Sequence, residues 1–158
     1  MLKLPKTIKM VITDFDGIVT DNNVYINEDM TMTRRLNFKD VMAFHLLKKN
    51  GFKIGIISGE ANSAIEILAK KFGVDEVHQK ISAKIDVLKQ IIQKHNLSEE
   101  EYLYVGDDVN DYDFLCYAKY KITVPHAVKK ITNIPNIQMT ENQAGYGAFR
   151  EVADCLTD

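Results

Sequence analysis

Long apolar runs are missing from this chain of 158 residues. None approaches the roughly 20 residues that a membrane-spanning helix needs. An excess of positive charge is missing too: 20 Lys and Arg stand against 22 Asp and Glu, for a net charge of -2. A nucleic-acid footprint would need a basic face, so no nucleic-acid partner is expected. Only two cysteines occur, Cys116 and Cys155, in no metal or redox spacing, which fits free thiols in a reducing cytosol. Met1–Met10 carries lysines but no apolar core, so no signal peptide is expected and the expected setting is the cytoplasm. Neither a G-x-x-x-x-G-K-[ST] loop nor a strand followed by G-x-G-x-x-G is present, which excludes the common nucleotide cradles. Asp14-x-Asp16-x-Ile18 lacks the third ligand of an EF-hand. His45, His78, His95 and His126 have no paired metal spacing.

What is present is an apolar strand, Met10–Thr13, that runs straight into Asp14-Phe15-Asp16-Gly17. Two carboxylates at the exit of a buried strand are costly to place there. They point to a metal ion, a carboxylate nucleophile, or both. The arrangement recurs where Tyr102–Val105 runs into Gly106-Asp107-Asp108, with Asp111 one helical turn beyond. At 46% hydrophobic and 27% charged residues, the chain suits a single domain over residues 1–158 with a proper core.

Strand-like and helix-like runs alternate, which predicts βαβ units: a Rossmann-like α/β fold, a parallel sheet flanked by helices. Val24–Ile26 and Thr31–Phe38 read as a hairpin inserted after the first strand, over about 22–38. Asp40–Lys49 reads as a helix stopped by Asn50-Gly51. Phe52–Ile57 reads as a strand ending at Ser58-Gly59. Ile65, Leu68, Ala69 and Phe72 predict an amphipathic helix closed by Gly73. Ile81, Ile85, Leu88 and Ile92 predict another, with Ser82 as its N-cap. Ser98 with Glu101 resembles a capping box, Ile122–Val124 a strand, and Ala148–Leu156 a short terminal helix. Parallel sheets bind ligands outside the carboxyl ends of their strands. Asp14, Ser58 and Asp107 each fall just past the end of a different strand, so they are expected to converge.

Those residues permit phosphoryl transfer. An Asp carboxylate can attack phosphorus and split one hard hydrolysis into two easier steps. The carboxylate and the phosphate repel, so Mg²⁺ is expected between them, with Asp14, Asp107 and a backbone carbonyl near Asp16 as oxygen ligands. The Asp16 side chain is then free to protonate the leaving oxygen and later activate water. Ser58 and the amides around Gly59 can donate to phosphoryl oxygens, and Lys84 can add a positive charge. Asp111 can orient that lysine.

Taken together, D-x-D-G-[IV]-x-T-D at Asp14–Asp21, the strand-terminal Ser58, the helix residue Lys84 and G-D-D-x-x-D at Gly106–Asp111 resemble the four motifs of the haloacid dehalogenase superfamily. The resemblance implies Asp14 as nucleophile and Asp16 as acid and base. It implies Asp14, the Asp16 main chain and Asp107 as Mg²⁺ ligands, with Asp108 and Asp111 supporting them, and Ser58 and Lys84 as phosphate binders. A closer resemblance, to the 3-deoxy-D-manno-octulosonate 8-phosphate phosphatases, rests on the hairpin, the missing cap domain and the tail Gly145–Glu151, which reads G-x-G-A-x-R-E. That group implies a homotetramer built by the hairpins, in which the C-terminal tail (about 142–158) is a mobile cover over a neighbouring active site and Arg150 a substrate contact. Glu60 and Lys71 instead resemble the phosphatases of nine-carbon acids such as 2-keto-3-deoxynononate 9-phosphate and N-acylneuraminate 9-phosphate. Gln143-Ala144 and Leu68 depart from the usual patterns. The expected substrate is therefore a phosphorylated 2-keto-3-deoxy sugar acid, with Arg34, Arg35, Lys39 and Arg150 as candidate partners for its carboxylate. The rival readings are a receiver-like signalling domain, which lacks a base two residues after its phosphorylated Asp, and a non-catalytic assembly domain.

Overall fold

The computed structural model describes residues 1–82 and 84–158. The chain opens with β1 (Met10–Thr13), every residue of which is buried. A strand covered on both faces reads as a continuous apolar run, and this one does. The hairpin follows as β2 (Tyr25–Ile26) and β3 (Met32–Thr33), paired antiparallel. Each is shorter than the alternation predicts, and a bridge between Thr20 and Leu36 closes the arm at its base. Both strands are exposed, and among the described residues no further strand extends their pairing.

Helix α1 (Phe38–Lys49) begins two residues before the predicted start, because the Asn37 side chain accepts the Lys39 N–H at 2.9 Å and caps it. Next come β4 (Lys53–Ile57), α2 (Ser63–Phe72), β5 (Glu76–His78), α3 (Lys84–Lys94) and β6 (Tyr102–Val105). Helix α2 buries Ile65 and Leu68 and ends on Gly73 in the left-handed region, as its periodicity predicts. Helix α3 excludes Ile81, whose N–H is drawn instead to the Ser58 carbonyl at 3.2 Å. The predicted Ser82 cap depends on Ala83, which lies outside the described residues. Ser98 and Glu101 do exchange hydrogen bonds, but they close a turn into β6 and start no helix.

The remainder comprises a short 3-10 turn (Val109–Asp111), α4 (Tyr112–Tyr117), β7 (Tyr120–Thr123), α5 (Lys129–Thr132), β8 (Gln138–Met139) and α6 (Ala148–Thr157). The sheet order is β5-β4-β1-β6-β7-β8, with every pairing parallel. One face packs Val11, Ile54, Leu103 and Ile122 against α1, α2 and α6. The other packs Met10, Ile12, Tyr102 and Tyr104 against α3, α4 and α5.

The C-terminal segment corrects the expectation of a mobile cover. Phe149, Val152 and Ala153 are fully buried in the core of their own chain, and the Phe149 ring lies 4.9 Å from that of Phe44. The buried Asp40 carboxylate, in the first turn of α1, accepts the N–H groups of Gly147, Phe149 and Arg150 at 2.9–3.1 Å. Those N–H groups at the start of α6 have no partner within their own helix. Gly145 sits so close to the loop after β1 that a Cβ there would fall 2.4 Å from the Asp21 nitrogen. The apolar face of α6 and this clasp make the tail a brace for the loop that carries Asp16. Replacing Asp40 with Ala strands three N–H groups and should lower unfolding free energy by about 3 kcal/mol in urea denaturation. A loss under about 1 kcal/mol would show that the clasp is dispensable.

Candidate active site

Asp14 directly follows β1, Ser58 follows β4, and Asp107 lies two residues past β6. These three strands are adjacent in the sheet, so their carboxyl ends open on one place. There Asp14, Asp16, Ser58, Gly59, Glu60, Asp107 and Asp108 line an open cleft of about 340 Å³, joined by Asn22, Lys80–Ser82 and Asn110. Convergence of strand ends is what the predicted topology required.

Below the cleft lies a buried charge network. Lys84, 2% exposed, donates to Asp14 Oδ2 at 2.7 Å and to Asp111 Oδ1 at 3.0 Å. Asp14 Oδ1 accepts the Phe15 N–H at 2.6 Å. Asp111 is saturated: Oδ1 also accepts from the Tyr104 hydroxyl at 2.7 Å, and Oδ2 accepts the N–H groups of Asp107 and Asp108 at 3.1 and 3.4 Å. The Asp108 side chain accepts the Val109 N–H and caps the 3-10 turn. Burial alone would discharge Lys84, but Asp111 and Asp14 outweigh it and hold the ammonium charged.

Negative charge remains in excess. Burial, then the charge of Asp111, pushes Asp14 upward. Burial, then Asp111 and Asp108, pushes Asp107 up to about 7. Asp107 Oδ1 is buried with no hydrogen-bond partner among the described residues. A buried carboxylate oxygen left in this way calls for a partner, and a cation fits one. Oxygens of Asp14, Asp107 and Asp111 lie within 4.8 Å of one another. Asp111 accepts four hydrogen bonds, Asp14 one at each oxygen and Asp107 Oδ1 none, so Asp14 and Asp107 are the pair with acceptor capacity left for a divalent ion, and hard carboxylate donors fit one. Gly17, at φ +87°, permits the approach: a Cβ there would fall 2.2 Å from Asp107 Oδ2.

The side chain of Asp16 is held from outside the cleft. Arg34 Nε donates to both of its oxygens at 2.9 and 3.1 Å, and the Thr20 hydroxyl donates to Oδ1 at 3.1 Å. Arg34, expected to be open to a substrate carboxylate, is thus already engaged. Arg35 is engaged as well: it pairs with Asp21 at 2.9 Å, donates to the Gly145 carbonyl at 3.2 Å and stacks over Tyr146. Ser58 is 1% exposed, and its hydroxyl oxygen accepts the Glu60 N–H at 3.2 Å.

Two expected site residues lie elsewhere. Helix α2 starts three residues after Glu60, and at about 1.5 Å per residue Lys71 lies about 12 Å along its axis; the ammonium sits over the Phe72 ring. Arg150 faces a separate depression beside Lys39, Asn142 and Glu151, and its Nε is bound to Asp154 at 2.6 Å. Sequence reasoning missed Tyr104 and Thr20. The signal for Tyr104 was present, since a phenol inside a fully buried strand needs a partner for its hydroxyl.

Comparison with known proteins gives the family and the fold. A family model described as haloacid dehalogenase-like hydrolase matches residues 28–118, a span that includes Ser58, Lys84 and Asp107. The chain belongs to the haloacid dehalogenase-like hydrolases, on the phosphatase side of that family. Among its relatives, the 3-deoxy-D-manno-octulosonate 8-phosphate phosphatase KdsC of Escherichia coli is 25% identical over 152 residues, covering 96% of this chain and 80% of the relative. The Moraxella catarrhalis 3-deoxy-D-manno-octulosonate 8-phosphate phosphatase, solved with magnesium, phosphate and KDO, superposes with a TM-score of 0.89 at 27% identity, over 96% of this chain and 86% of that one. A putative HAD family hydrolase from Streptomyces avermitilis gives a TM-score of 0.89 at 30% identity, over 98% and 88%.

The raised Asp107 pKa makes a proton and a cation rivals for one carboxylate. A folded-state value raised from 3.8 to about 7 means that the cation-free native protein takes up the proton below about 7 while the unfolded chain does so only near 4. Cation-free stability should therefore fall as pH rises between about 4 and 7, and affinity for a divalent ion should rise over the same window. Calorimetric titration with Mg²⁺ at pH 5.5, 6.5 and 7.5 checks this; equal affinities at all three would contradict it.

Proposed function

We propose that this protein is a Mg²⁺-dependent phosphomonoester hydrolase that works through an aspartyl-phosphate on Asp14. The observation that carries the reading is the buried Asp14–Lys84–Asp111 network beside the unpartnered oxygen of Asp107. Asp14 Oδ attacks phosphorus, an O–P bond forms, and the ester O–P bond breaks. Asp16 gives its proton to the leaving oxygen. Water then attacks the acyl phosphate, its proton passes to Asp16, and Asp14 is freed with release of inorganic phosphate. Ser58, the amides at Gly59 and Lys84 hold the phosphoryl oxygens. Asp14, Asp107 and the Asp16 main chain would hold a divalent ion, which would supply the charge neutralisation that two meeting anions need.

The substrate of this reading is a phosphorylated 2-keto-3-deoxy sugar acid, with 3-deoxy-D-manno-octulosonate 8-phosphate first. The names of the Escherichia coli and Moraxella catarrhalis relatives support it. One observation favours a nine-carbon acid phosphate instead: Glu60 lines the cleft. Lys71, its expected companion, lies outside.

A homotetramer in the cytoplasm completes the reading. The arm supports assembly, since Ile26 is 74% exposed and Met30 83%, and apolar groups of that size are normally covered. The two free thiols support the compartment. With α6 anchored in its own core, any contribution of the tail to a neighbouring site comes from the folded surface around Tyr146 and Arg150.

Asp14→Asn should reduce turnover by at least ~10³-fold, on the scale seen when a nucleophile is lost, with an unchanged far-ultraviolet spectrum. Activity within ~10-fold of wild type would remove the nucleophile assignment. Comparison of kcat/KM for the eight- and nine-carbon acid phosphates decides the substrate. Light scattering that returns a monomer would remove the tetramer.

A further inference from the structure

We infer that Arg34, at the base of the hairpin arm, is the positioning residue that aims Asp16 at water during breakdown of the phosphoenzyme; the inference rests on the phosphatase reading above.

The geometry is specific. Arg34 follows β3 on the return leg of the arm, and its side chain is 9% exposed. A guanidinium hidden to that degree has a buried task, because Arg is normally a surface residue. Its single Nε–H is shared between both oxygens of Asp16, which centres the carboxylate on the donor. The Thr20 hydroxyl donates to Oδ1 from a second direction, while itself accepting the N–H groups of Gly17 and Asn22 at 3.3 Å. Every contact to the Asp16 side chain is therefore donated into it, among the described residues. Such a cradle fixes where the Asp16 carboxylate sits and how it is turned.

The next residue reinforces the assignment. Arg35 pairs with Asp21 and with the Gly145 carbonyl. Consecutive arginines thus grip the two ends of the loop from Asp16 to Asp21. In the second half-reaction, the water oxygen bonds to phosphorus, the Asp14 O–P bond breaks, and one water proton moves to Asp16. That transfer needs the carboxylate within hydrogen-bond reach of a water that no covalent bond holds in place. In the first half the nucleophile belongs to the protein and the phosphoryl group is gripped by Ser58 and Lys84, so the demand on Asp16 is smaller. With an aryl phosphate it vanishes, because the leaving phenolate needs no proton.

The test is rapid-quench kinetics with p-nitrophenyl phosphate and Mg²⁺ on wild type, Arg34→Gln and Arg34→Lys, with Asp16→Asn as reference. Arg34→Gln should leave the first turnover within ~3-fold of wild type and slow steady-state turnover by ~10-fold or more, toward the ~10² expected for loss of a positioned base. Nitrophenolate then appears as a burst approaching one equivalent per site, and labelled acyl phosphate accumulates on Asp14. Arg34→Lys keeps the charge but loses the fixed Nε–H donor, and should fall between. First-turnover and steady-state rates that fall together, or a variant with neither changed, would overturn the inference. If Arg34→Gln does not fold, the same ratio is read on Arg34→Lys, whose burst or lack of one decides it. A wild-type enzyme that releases no nitrophenolate would instead sink the phosphatase reading, and is separable on that ground.

Discussion

One buried ammonium organises this molecule. Lys84 brings three elements together: the end of β1 through Asp14, the start of α3 through its own backbone, and the turn after β6 through Asp111. Taking these charges out of water costs several kcal/mol per ion, so the arrangement persists only because each partner is satisfied. The saturated oxygens of Asp111 are that satisfaction made visible. One member lacks it. Asp107 stands beside the network with an unpartnered oxygen and a raised pKa, the one place in it where a divalent ion would fit.

Around that centre the fold divides its labour by face. Helices α3, α4 and α5 cover the side from which Lys84 and Tyr104 enter, a layer rich in aromatic and branched side chains. On the opposite side α1 and α6 lock together through Asp40, and the segment before α6 presses on the loop after Asp16. The hairpin arm contributes its two arginines to that same loop. The loop from Asp14 to Asp21 is consequently held by the sheet, the tail and the arm at once. A site without a cap domain gains its rigidity from these three supports, and rigidity is what positioned proton transfer demands.

Much of this was legible beforehand. Strands β1, β4 and β6 announce themselves because central parallel strands are apolar along most of their length, and the polar residues that follow them line the candidate site. Helix α2 was legible because one face alone is buried. Strands β5 and β8 and helices α4 and α5 are too short to display a period. The arm was read as longer than it is, since alternation in sequence continues past the point where pairing partners exist. The tail misled for a different reason: glycines suggested mobility, yet Gly145 is required for close approach to Asp21. Lys71 shows the limit of motif spacing, because proximity along a helix is displacement along its axis.

Residue order alone determined the parallel sheet, the acids at its strand ends and the class of reaction they permit, because local propensity and burial pattern act along the chain. Only the folded structure decided which charges neutralise which. It joined Lys84 to Asp111, left Asp107 bare, and turned Arg34 and Arg35 inward onto the loop after β1. Electrostatic pairing depends on distances between segments far apart in sequence, and packing sets those distances.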